Sequence, residues 1–100
     1  MRQITLYVPE NDNYGRMRPG VLEWVARKVI GLAGGATITR GQGLWIGSRL
    51  FREPVAMVSA LVPADADIGP YRKLAGFVKE RLAQESVLLT VTDRIQGEFI

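Results

Sequence analysis

Ile4, Leu6 and Val8 alternate with Thr5 and Tyr7, which predicts a half-buried β-strand over Gln3 to Val8. Pro9-Glu10-Asn11-Asp12-Asn13-Tyr14-Gly15 is rich in turn formers, and the loop continues through Arg16, Met17 and Arg18. Pro19 then suits a first helical position. Val21, Val25 and Val29 form one row at helical spacing and Leu22, Ala26 and Ile30 the next, with Gly31 and Gly34-Gly35 as stop signals. Ala36 to Arg40 reads as a second strand. Gly41, Gly43 and Gly47 punctuate a hairpin around Leu44-Trp45-Ile46 that ends near Ser48-Arg49. Glu53 to Val62 is the strongest strand pattern, with Pro54 placed near its start or on an edge.

Pro63 to Pro70 is a loop whose Asp65 and Asp67 favour a helix start. Tyr71, Leu74, Ala75, Val78 and Leu82 then keep helical periodicity to about Gln84. Ser86 to Thr92 reads as a strand, Asp93-Arg94 as a turn or bulge, and Ile95 to Ile100 as a further extended segment. Strand, helix, strand pair, helix, strand is the element order of an α+β ferredoxin-like split βαβ sandwich. The expectation is one domain over residues 1–100, with two helices on one face of a four- or five-stranded antiparallel sheet.

Such a sandwich leaves one sheet face free. Val55, Met57 and Leu61 alternate with Ala56, Val58, Ala60 and Val62, so both sides of the third strand are apolar, and Val87, Leu89 and Val91 lie opposite Leu88, Thr90 and Thr92. An apolar free face predicts a homo-oligomer packed through the sheet. The competing reading is that the chain's own termini or the glycine-rich hairpin cover it.

The chain has no Cys and no His, which removes disulfides, thiolate zinc sites, cysteine nucleophiles and the commonest general base. No metal and no cofactor is expected. Formal charge is +3, and ten of the thirteen basic residues are Arg, a residue suited to bidentate recognition of phosphate or carboxylate. Arg40, Arg49 and Arg52 bracket the hairpin with Trp45 as a stacking surface, and Arg16 and Arg18 sit in the first loop. These six residues are the candidate ligand site, against a bland reading in which Glu53 merely pairs with one of the arginines. The glycines from Gly31 to Gly43 match neither phosphate-binding pattern. No serine lies in a nucleophile elbow, and Asp65 with Asp67 does not make an EF-hand. Glu53 and Glu85, beside Tyr7 and Tyr71, are the groups available for acid–base chemistry, with no spacing that demands proximity. RNA binding on the sheet is disfavoured because Glu53 to Val62 carries no aromatic residue. No apolar stretch is long enough to span a membrane, and the first residues lack a signal-peptide core, so a cytoplasmic location is expected.

Ile4-Thr5-Leu6-Tyr7, Glu23-Trp24, Gly41-Gln42-Gly43-Leu44-Trp45, Arg52-Glu53 and Gln84-Glu85-Ser86-Val87-Leu88 together resemble a bacterial family of small domains of unknown function, numbered 3574 among such domains. The resemblance runs over nearly the whole chain and implies a ferredoxin-like fold without an assigned reaction. The chain departs from it in the Gly31 to Gly35 segment and in lacking a lipoprotein-like leader. The functional expectation is a non-catalytic binding or regulatory module that holds a small anionic, nucleotide-like molecule at a subunit boundary. The alternatives are a dimeric α+β-barrel enzyme acting without metal on a hydrophobic molecule through Tyr7 or Glu53, and a protein–protein interaction module.

Overall fold

A computed structural model describes all residues from Met1 to Ile100. The alternation at the N-terminus forms β1 (Arg2–Pro9), and Pro19 opens α1 (Pro19–Ala33). β2 (Thr37–Ile46) and β3 (Leu50–Val62) form a long hairpin, followed by α2 (Gly69–Arg81) and β4 (Leu89–Thr92). The strands pair antiparallel in the order β2-β3-β1-β4, with both helices on one face, which is the ferredoxin-like arrangement. No helix is long and apolar enough to cross a membrane.

Register decides which side chains meet the helices. Ile4, Leu6 and Val8 of β1 lie opposite Ala60, Val58 and Ala56 of β3, and all six are buried against Val25 and Val29 of α1 and Leu74 and Val78 of α2. The other parity, Gln3, Thr5 and Tyr7 with Leu61, Ser59 and Met57, faces away from the helices. That open face is more polar at its centre than the sequence suggests, since Thr5 Oγ1 and Ser59 Oγ share a hydrogen bond of 2.9 Å.

Two elements differ from expectation for local reasons. Gly31 lies inside α1, and the helix ends where Gly34 adopts φ +85° and donates its N–H to the Ile30 carbonyl at 2.8 Å. Gly41 and Gly43 are not turns: β2 continues through them, and a side chain at either would sit in ordinary contact with a neighbour on β3. A Cβ on Gly41 would meet Met57 Cε at 3.5 Å, and one on Gly43 would meet Glu53 Cγ at 3.5 Å. Pro54 is the fifth residue of β3 and not at its start, but it sits at a local edge, one position beyond the last β1 pair of Pro9 with Val55. Its carbonyl accepts the Glu10 N–H at 3.0 Å, while the Glu10 carbonyl is taken by the Arg18 N–H at 2.9 Å, so nothing there requires the donor that proline lacks.

The C-terminal segment is not a strand either. Arg94 turns the chain at φ +60°, Ile95 N–H bonds to the Met1 carbonyl at 2.9 Å, and the remaining residues run across one end of the open face. At the opposite end β2 and β3 outrun β1, whose last pair is Pro9 with Val55. The resulting arm, Gln42–Ile46 with Leu50–Pro54, makes the molecule 44 Å long against 24 and 23 Å in the other directions.

Candidate functional site: a neutral cleft on the open sheet face

The open face carries a cleft of about 650 Å³ where the C-terminal segment crosses the sheet. β1 supplies Gln3, β2 supplies Thr37 and Thr39, and β3 supplies Ser59 and Leu61. Ile95, Gln96 and Phe99 form the far wall, and the turn at Gly34 and Gly35 closes one end. None of the lining residues is ionisable. The polar groups are hydroxyls and amides that both donate and accept, and Phe99, 89% exposed, offers a ring beside them. Such a lining suits an uncharged polar molecule with a flat or apolar part.

Farther along the same face the arm holds a second set of groups. Trp45 and Phe51 are directly paired across the hairpin, and their rings stack at 4.1 Å and 10°. The Arg49 guanidinium lies 5.1 Å from the centre of the Phe51 ring. Glu53 is next on β3, its side chain lying over Gly43. It makes no ion pair, in contrast to the bland expectation that an arginine neutralises it.

The six arginine and tryptophan candidates do not meet in one pocket. Trp45 stands on the open face, whereas Arg40 and Arg52 have the opposite strand parity, opposite Ala56 and Leu44. Arg40 Nε donates to Glu10 Oε1 at 3.1 Å, and Arg52 has no carboxylate partner. Arg16 and Arg18 are gathered by Asp12. The Asp12 carboxylate accepts the Tyr14 and Arg16 backbone N–H groups at 2.9 and 3.0 Å and Arg16 Nε at 3.2 Å, with Arg18 Nη1 at 3.5 Å. The Arg16 backbone hydrogen bond is the main reason its carboxyl titrates below the ordinary aspartate range. These two arginines therefore tie the loop together first. Tyr7 lies between cleft and arm beside Met57, and neither Glu85 nor Tyr71 borders the cleft. Burial raises the Tyr71 hydroxyl above its usual pKa and places it in the core.

The cleft residues Gln3, Thr37, Thr39 and Ser59 were absent from the sequence-based site. Their signal was parity alone, since each falls on the open side of its strand.

No protein-family model matches the chain, and no curated protein matches it. Solved structures do resemble it. A phage SAM lyase in complex with S-methyl-5'-thioadenosine superposes with a TM-score of 0.69 at 18% identity, covering 91% of this chain and 79% of that one. CutA from Synechococcus elongatus gives 0.60 at 15% identity over 94% of this chain and 76% of its own. A DUF3240 family protein from Shewanella baltica gives 0.59 at 10% identity over 99% and 96%. At these identities the likeness is one of fold, and the fold is that of a small ferredoxin-like module.

Proposed function

We propose that the protein is a homo-oligomeric ligand-binding domain that holds an uncharged nucleoside-type molecule in the open-face cleft. The observation that carries this reading is the composition of the cleft: about 650 Å³ lined by hydroxyls, amides and an exposed ring, with no charge. The phage lyase of similar fold binds S-methyl-5'-thioadenosine, an uncharged nucleoside, which supports the same ligand class here. Oligomer formation is supported by the arm, where Leu44, Ile46 and Leu50 are exposed on one side and Trp45 on the other. Ser59 in the cleft and Phe51 on the arm are eight positions apart on β3, about 26 Å of strand, so one ligand cannot touch both within a single copy. In a head-to-tail assembly the arm of one copy covers the cleft of the next and adds its aromatic pair. Membership of the family numbered 3574 and a cytoplasmic location remain part of this proposal.

Two further readings rest on specific side chains. Glu53, a carboxylate without a counter-charge, would be delivered to the neighbouring cleft by the arm and would act there as a general base, the enzyme reading. Arg49 and Arg52, also without carboxylate partners, support the anionic-ligand reading.

Thermal-shift and calorimetric titration with S-methyl-5'-thioadenosine, adenosine monophosphate and inorganic phosphate separates these. The expected result is binding of the thioadenosine, weakened about two- to tenfold by Thr39→Val and by Ser59→Ala, the loss of one neutral hydrogen bond each. Turnover of an adenosyl substrate that is abolished in Glu53→Gln would establish the enzyme reading. Stabilisation by phosphates alone, lost in Arg49→Ala and Arg52→Ala, would replace the neutral ligand with an anion.

A further inference from the structure

The helical side of the molecule carries a second cavity, of about 410 Å³, between the loop preceding α1 and the end of α2. Arg18 enters it from the loop, Arg81 from the last turn of α2, and Trp24 and Met17 form its apolar wall. No acidic side chain lines it. Arg81 has no ion-pair partner. Arg18 is held from behind by Asp12, whose Oδ2 lies 3.5 Å from one terminal nitrogen, which leaves the rest of the guanidinium fork free. Trp24 is fixed edge-on by Phe77, ring centres 6.1 Å apart at 84°, and Lys28 Nζ lies 5.8 Å from the Trp24 ring.

Two arginines from segments far apart in sequence thus line one cavity, with a third cation beside its aromatic wall and no counter-charge among its lining residues. Gathering like charges costs free energy unless an anion offsets it. Arginine pairs suit the planar, bidentate recognition of phosphate oxygens, and a cavity of this size takes a molecule of mononucleotide dimensions. We infer that this cavity is an organic-phosphate site, with the phosphate between Arg18 and Arg81 and the organic part against Trp24 and Met17. It is separate from the open-face cleft and lies on the opposite side of the sheet.

Arg81 is the residue to test, because it is exposed and its removal breaks no ion pair. Adenosine monophosphate and inorganic pyrophosphate are titrated into the full chain, Arg81→Ala, Arg81→Lys and the Arg49→Ala/Arg52→Ala double variant. The expected result is binding that weakens at least about tenfold in Arg81→Ala, recovers in part in Arg81→Lys, and is unchanged in the double variant. Binding should also fall as salt rises, and S-methyl-5'-thioadenosine binding should be indifferent to Arg81→Ala. Equal affinity of both phosphates for the parent chain and Arg81→Ala, or no binding by either, overturns the inference whatever happens at the open face.

Discussion

Val58→Lys should unfold the domain, whereas Met57→Lys, one position earlier on β3, should leave it folded. Val58 is 1% exposed, flanked by Leu6 and Ile38 on the neighbouring strands and roofed by the helices. A lysine there must bury its ammonium or push the helices away, a cost of several kcal/mol against a total stability of about 5–15 kcal/mol for a domain this size. Met57 has the other parity and lies on the open face beside Tyr7 and Gly41. A lysine there extends into solvent in an isolated copy but is buried if a second copy covers the face. Circular dichroism melts should therefore separate the two variants sharply. Light scattering on Met57→Lys should report a smaller species than the parent. A Val58→Lys protein that melts like the parent would contradict the assignment of faces.

Asp12→Ala should be the next most damaging change, lowering the melting temperature clearly below the parent's. Its side chain is only 2% exposed and accepts the Tyr14 and Arg16 backbone N–H groups, so its loss removes the acceptor that holds the loop in its turn. The same carboxylate gives the fold a pH dependence whose sign follows from its lowered pKa. The folded state binds this proton less readily than the unfolded chain does. The stabilisation is therefore complete above the ordinary aspartate pKa of about 4, and it is lost as pH falls below that value through the folded one. Urea titrations at pH 7 and near pH 3 should show the difference between parent and Asp12→Ala shrinking in acid. A difference that is the same at both pH values would show that the carboxylate's charge is not what holds the loop.

The frame was legible because period and burial coincide. Ile4, Leu6 and Val8 alternate, Val21, Val25 and Val29 step by four, and the strand and the helix they predict are where the structure has them. Gly41 and Gly43 misled because a glycine that makes a turn and a glycine inside a paired strand look alike in sequence. Their place in the strand follows only from the pairing of Gly41 with Val55 and Gly43 with Glu53 across the hairpin. The tail from Ile95 alternates like a strand, but the left-handed turn at Arg94 carries it across the face.

The site was less legible than the frame. Arg40 and Trp45 are five positions apart on one continuous strand, an odd separation that puts them on opposite faces, yet this followed only once β2 was known to run unbroken from Thr37 to Ile46. Arginine and tryptophan attract notice by their chemistry, whereas Thr37, Thr39 and Ser59 are ordinary strand residues until Phe99 and Gln96 are folded over them. Arg81 was indistinguishable from any solvated helix-end cation, because the cavity it shares with Arg18 depends on how α2 packs against α1.

A native mass spectrum taken with S-methyl-5'-thioadenosine present reads assembly and occupancy of the cleft in one measurement. The expected spectrum is a closed oligomer of the 11.1 kDa chain carrying one ligand per subunit, with both the oligomer and the occupancy reduced in Met57→Lys. A monomer at 11.1 kDa with no bound nucleoside would contradict the proposed function.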